Sequence, residues 1–142
     1  MKTILLIEDN EDILENLTEY FEIEGYKIIG AKNGKIGVEI ASELVPDLII
    51  CDVLMPIMDG YEVLNSLLHM ARTFHIPFIF STSMSESVNR EDALKLGADD
   101  YIIKPFELDS LLKMAESWIK CGSSRRGQNP PSDVEVPLPK NK

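Results

Sequence analysis

Three carboxylates, a run of hydroxyls and one lysine stand where this 142-residue chain leaves short apolar segments. Glu8 and Asp9 follow Ile4-Leu5-Leu6-Ile7, and Asp52 follows Leu48-Ile49-Ile50-Cys51. Ser81-Thr82-Ser83 follow Phe78-Ile79-Phe80, and Lys104 follows Tyr101-Ile102-Ile103. Any one of these alone is an ordinary polar residue opening a loop; together they suit one chemistry. Clustered carboxylates bind a hard divalent cation, and Mg²⁺ takes few protein oxygens, leaving positions for water and phosphate. A hydroxyl and an ammonium beside them neutralise the equatorial oxygens of a phosphoryl group in transfer. Lys104 and a metal favour the ionised form of Asp52 against the repulsion of Glu8 and Asp9. Three carboxylates this close repel one another without a cation, so metal binding is expected to stabilise the fold.

These residues converge only if the elements carrying them are arranged correctly. Five apolar runs stand out at Ile4–Ile7, Lys27–Ala31, Leu48–Cys51, Phe78–Phe80 and Tyr101–Ile103. Several are continuous rather than alternating, as in strands buried on both faces of a parallel sheet. Between them the spacing turns helical: Ile13, Leu14, Leu17, Tyr20 and Phe21, then Val63, Leu64, Leu67, Leu68 and Ala71, then a stripe from Leu108 to Ile119. Segments 35–44 and 86–96 complete the alternation. Gly25 and Gly97 stand where helices stop, and Asn33-Gly34 and Pro46 mark further boundaries. The pattern is β-α repeated five times: an α/β doubly wound five-stranded parallel sheet with right-handed crossovers. Ligands of such sheets bind at the carboxyl ends of the strands, where the polar set lies. No GxGxxG or GxxxxGK[ST] occurs in the chain. The turn after the first strand holds Glu8-Asp9-Asn10, which would repel a bare phosphate, instead of glycines that cradle one.

Composition narrows the classes further. Fourteen Lys+Arg against 24 Asp+Glu give a net charge of −10, unlike a general nucleic-acid or anionic-membrane binder. Two cysteines without a Cys/His cluster suggest neither a disulfide scaffold nor zinc. No apolar stretch approaches the roughly 20 residues of a membrane span, and a cytoplasmic location is expected. Residues 1–120 read as one domain. The stretch 121–142 holds four of the eight prolines and both Arg125 and Arg126, without apolar periodicity. It is expected to be a disordered Pro-rich tail or linker.

The runs Ile4–Asn10, Asp47–Gly60 and Gly97–Phe106, with Thr82 between the last two, resemble the receiver domain of two-component response regulators over about residues 2–120. The acidic pair is Glu-Asp where many members have Asp-Asp. The resemblance implies a flavodoxin-like (βα)5 receiver fold and a phospho-acceptor role. Asp52 becomes the acceptor. Glu8, Asp9, Asp52 and the backbone carbonyl of Leu54 become the ligands of Mg²⁺, with Mn²⁺ as an alternative. Thr82 and Lys104 bind the phosphoryl oxygens, and Tyr101 with Thr82 forms the switch of a signalling face spanning the fourth helix, fifth strand and fifth helix. The Lys104–Pro105 bond is expected to be cis. The donor is a sensor histidine kinase or a histidine phosphotransfer protein; neither membrane nor nucleic acid is a direct partner. Leu54 and Met84, at positions flanking water's approach, imply a long-lived phosphorylated state.

A rival from another class is a Mg²⁺-dependent phosphatase or phosphotransferase acting on small molecules through an aspartyl-phosphate. The absence of a cap domain, and Leu54 where such an enzyme places a second acid, weigh against it, so the domain is not expected to act as an enzyme beyond its own phosphorylation and dephosphorylation. His69, His75, Cys51, Cys121 and Trp118 read as structural residues, and Ser81, Ser83 and Ser85 as turn or cap residues.

Overall fold

The computed structural model describes residues 1–83 and 90–131. Strands and helices alternate: β1 (Thr3–Ile7), α1 (Glu11–Ile23), β2 (Lys27–Ala31), α2 (Gly34–Leu44), β3 (Leu48–Asp52), α3 (Gly60–Leu68), β4 (Phe78–Ser83), α4 (Arg90–Lys95), β5 (Asp100–Lys104) and α5 (Leu108–Cys121). All pairings are parallel, in the order β2-β1-β3-β4-β5. The order reverses between β1 and β3, and a doubly wound sheet opens a crevice at that point. The first four residues of the expected fourth helix, 86–89, lie outside the described residues. No helix among the described residues is long and apolar enough to cross a membrane.

The two faces of the sheet build two cores. Leu5, Ile7, Ile49, Cys51, Phe78 and Phe80 point into one, covered by α2, α3 and Ala93 of α4. Ile4, Leu6, Leu48, Ile50 and Ile79 point into the other, with Leu17 and Phe21 of α1 and Leu111, Leu112 and Ala115 of α5. This double burial is why the strands read as continuous apolar runs. Trp118 packs against the second core and donates its indole N–H to Asp100 Oδ2 at 2.9 Å.

Local signals set the helix starts. Asn10 Oδ1 accepts from Ile13 N–H at 3.0 Å, Asn33 Oδ1 accepts from Ile36 N–H at 2.9 Å, and Asp59 and Glu62 form a reciprocal capping box. Each such cap contributes about 1 kcal/mol. Gly25 and Gly97 end their helices at φ of 99° and 113°, as a left-handed stop requires. Helix α3 closes at Leu68, short of the apolar stripe's end at Ala71, and 71–75 continue as turns.

The expected tail differs from its prediction at its start. Cys121 is the last residue of α5, not the first of a linker. The chain turns at Gly122 and folds back under β4 and β5, burying Ser123 and Arg125. The Arg125 guanidinium donates to Phe74 O at 2.7 Å, Ile76 O at 2.9 Å and Gly97 O, and lies 3.5 Å from Asp99 Oδ2. Asp99 Oδ1 accepts from Ser124 N–H and Ser124 Oγ at 2.7 Å, while Oδ2 accepts from Phe78 N–H at 2.8 Å. Carbonyls at the lower ends of β4 and β5 need donors when buried, and one arginine fork meets three of them. Residues 132–142 lie outside the described residues.

Candidate functional site

The sheet brings the polar set to one edge. Ile7 of β1 pairs with Cys51 of β3, so the next residues, Glu8 and Asp52, leave adjacent strands level with each other. Glu8 N–H still bonds Ala31 O at 2.9 Å, extending the ladder one residue beyond β1. Asp52 pairs with Ser81, and Ser83 with Lys104. Oxygens of Glu8, Asp9 and Asp52 all lie within 4.8 Å of one another. Glu8 and Asp52 are buried, at 4% and 6% exposure, while Asp9 is open to solvent. A hard cation would thus meet two buried carboxylates from within and one from the rim. This oxygen-only set with few protein ligands fits Mg²⁺ or Mn²⁺.

Lys104 crosses the sheet to this cluster. Its Nζ lies 3.1 Å from Glu8 Oε1 and 3.4 Å from Asp52 Oδ1. Burial works against its charge, but Glu8 and Asp52 together outweigh that and raise its pKa above the ordinary lysine value. Its contribution to stability is therefore full below the ordinary value and disappears only as pH rises through the elevated one. Lys104 is positively charged at any physiological pH. The Lys104–Pro105 peptide is cis, as expected.

Asp52 Oδ1 also accepts from Val53 N–H at 2.9 Å. Helix α3 begins against the acceptor strand: Gly60 N–H donates to Val53 O at 2.7 Å, and a Cβ at Gly60 would collide with Asp52 O. Thr82 is 1% exposed, and its hydroxyl bonds Ser83 O at 3.3 Å. Tyr101 is half-buried against the first core, with its N–H on Asp100 Oδ1. Leu54 stands at the mouth with its side chain 59% exposed; Met84 and Ser85 lie outside the described residues.

Glu8, Asp9, Asp52 and Lys104 are thus brought together. Neither histidine joins them: His69 Nδ1 meets Asn65 O and His75 Nε2 meets Gln128 O. Cys51 is fully buried, which pushes its thiol well above the usual value and keeps it neutral. Ser81 departs from its expected role as a turn or cap residue. It lies inside β4, 3% exposed, across from Asp52. Its strand position was the available signal, since alternation puts it on the same face as Ile79. Beside the site, α1 and the turn into α5 border an apolar groove of about 790 Å³, lined by Ile13, Tyr20, Pro105 and Phe106 among others and reaching Lys104.

The profile of the response regulator receiver domain matches residues 4–116. The chain is 35% identical over 106 residues to response regulator SaeR of Staphylococcus aureus, covering 75% of this chain and 45% of that protein. It is 37% identical over 113 residues to a probable cyclic di-GMP phosphodiesterase of Vibrio cholerae, covering 77% of this chain and 24% of that protein. It therefore spans less than half the length of these curated relatives. Among solved structures, the signal receiver domain of a histidine kinase from Syntrophus aciditrophicus is similar with a TM-score of 0.76 and 34% identity, over 85% of this chain and 92% of that one. The receiver domain of sensor histidine kinase PA1611 from Pseudomonas aeruginosa, solved with magnesium coordinated in its active-site cleft, has a TM-score of 0.73 and 28% identity over 84% of this chain and 98% of that one.

Proposed function

This chain belongs to the response regulator receiver family, and from that membership we propose that it is a cytoplasmic phospho-acceptor switch in two-component signalling, with Asp52 as the acceptor. The observation that carries the reading is the meeting of Glu8, Asp9, Asp52 and Lys104, from three strands, at one sheet edge. A carboxylate oxygen of Asp52 attacks phosphorus in line with the bond to the donor's histidine nitrogen. The O–P bond forms as the P–N bond breaks, and its electron pair stays on the imidazole. Lys104 and the Thr82 hydroxyl bind equatorial oxygens of the transferred group. Glu8, Asp9, Asp52 and the Leu54 carbonyl would hold Mg²⁺ or Mn²⁺, which when bound would supply further positive charge for those oxygens. Thr82 moving toward the phosphoryl group leaves space for Tyr101 to turn inward, altering the face made by α4, β5 and α5. A bias of a few kcal/mol between two such packings reverses their populations.

The donor is a histidine kinase or a histidine phosphotransfer protein, and the apolar groove beside Lys104 suits an amphipathic helix from it. The receiver core fits a phospho-acceptor rather than a free-standing enzyme. The phosphodiesterase relative is matched over only 24% of its length, so its named activity gives no second reading.

The reading is tested by incubating the protein with acetyl phosphate and Mg²⁺. One phosphoryl group per chain should appear by intact mass and map to Asp52; labelling indifferent to chelation of the metal would contradict it. Asp9→Ala should weaken Mn²⁺ binding at least tenfold, followed by the electron paramagnetic resonance of the free ion, since it removes one of few protein ligands. The phosphorylated state should persist, because Leu54 offers an attacking water no hydrogen bond. Leu54→Asn with Met84→Glu is expected to speed decay of phospho-Asp52 about tenfold, equivalent to ~1.4 kcal/mol of barrier. Decay in excess Mg²⁺ after donor removal measures it.

A further inference from the structure

Ser81 pairs directly with Asp52 across β3 and β4. Both follow residues of the second core, Ile79 and Ile50, by two positions, so both side chains belong to the face covered by α1 and α5. The Ser81 hydroxyl is buried, and among the described residues it has no hydrogen-bond partner. Buried hydroxyls rarely stay so, because desolvation is uncompensated without a partner. Its surroundings are the aliphatic Leu6, Leu17 and Ile50 and the carboxylates of Glu8 and Asp52.

The hydroxyl does adjoin a small cavity of about 10 Å³ whose polar lining is Glu8, Asp52 and Ser81. That volume is at the lower limit for one water molecule, which needs two to four polar partners. The partners here have matching polarity. The two carboxylates accept only, and Ser81 can donate, so one water accepts from Ser81 and donates to Glu8 and Asp52. Asp9, which completes the acidic cluster, does not line this cavity. The cavity therefore lies inward of the two carboxylates, not on the side where Asp9 closes the set.

We propose that this cavity holds one buried water joining the Ser81 hydroxyl to Glu8 and Asp52, which makes Ser81 a positioning residue for the acidic cluster. The proposal rests on the reading of that cluster as a cation site. Groups that hydrogen-bond metal ligands from behind set the ligands' orientation, and their loss typically weakens metal binding 10- to 100-fold.

Mn²⁺ titration of the full chain, followed by the paramagnetic resonance of the free ion, tests it alongside a crystal structure that resolves waters. Ser81→Ala should weaken Mn²⁺ binding about tenfold. Ser81→Cys should do nearly the same, since it keeps the volume and offers only a weak donor. A water within hydrogen-bond distance of Ser81 Oγ should be visible in the wild type. Affinity unchanged in Ser81→Cys, or density without that water, would overturn the proposal. Asp9→Ala separates the two levels. If it abolishes binding while both Ser81 variants match wild type, the cation site stands and the role of Ser81 falls. If Asp9→Ala binds like wild type, the reading of the cluster itself falls, and the role of Ser81 with it.

Discussion

Asp52→Asn is expected to reduce phosphoryl incorporation from acetyl phosphate to background. The amide oxygen carries no charge to form the O–P bond. Among the described residues no neighbouring carboxylate occupies an equivalent position. Glu8 is buried and paired at 3.1 Å with Lys104, and Asp9 sits at the exposed rim. The substitution is also mild for the fold. It removes one of three clustered negative charges while leaving Lys104 paired with Glu8, so loss of labelling reports chemistry rather than unfolding. Intact-mass spectrometry of the two proteins after equal exposure to donor and Mg²⁺ is the measurement. Equal labelling would remove Asp52 from the acceptor role.

The largest stability effect is expected far from that site, at Arg125. Arg125→Ala should cost about 3 kcal/mol, roughly 1 kcal/mol for each of the three carbonyls that lose their donor, while Asp99 keeps its bonds from Phe78 N–H and Ser124. For a domain of this size the fall in Tm is roughly 10 °C. Burial lowers the Arg125 pKa more than Asp99 restores it, so the ion pair is not the main source of stabilisation. The three carbonyls of Phe74, Ile76 and Gly97 are, since Ile76 O would be left buried, and the other two partly buried, without this donor. Lysine cannot reproduce the fork, and Arg125→Lys should recover little. Arg126→Ala is the control: among the described residues its side chain bonds only Cys121 O at an exposed position, and a change within about 0.5 kcal/mol is expected. Thermal melts of the three variants decide this. A melt of Arg125→Ala matching wild type would mean the segment after α5 does not hold the ends of β4 and β5.

Much of the architecture and most of the acidic site were legible without coordinates, for a local reason. A strand buried on both faces must be a short apolar run, and a helix lying on it must repeat at 3.6 residues. Five such alternations allow few topologies, and ligands of a doubly wound sheet gather at its carboxyl edge. Glu8, Asp9, Asp52 and Lys104 could therefore be placed from their positions at the ends of runs. The caps at Asn33 and the stops at Gly25 and Gly97 are local in the same sense.

Tertiary structure alone decided the rest. Arg125 looks like one of two arginines in a polar stretch, and nothing periodic marks it. Its partners are backbone carbonyls at positions 74, 76 and 97, and every residue has a backbone carbonyl whatever its side chain, so no residue type announces them. Ser81 likewise reads as one hydroxyl among several. Only the pairing of β4 with β3 sets it across from Asp52, and only the packing of α1 on that face, through Leu17, encloses the cavity between them. Periodicity reports what a segment buries; which buried polar group meets which depends on register and on helix packing, and these exist only once the chain has closed.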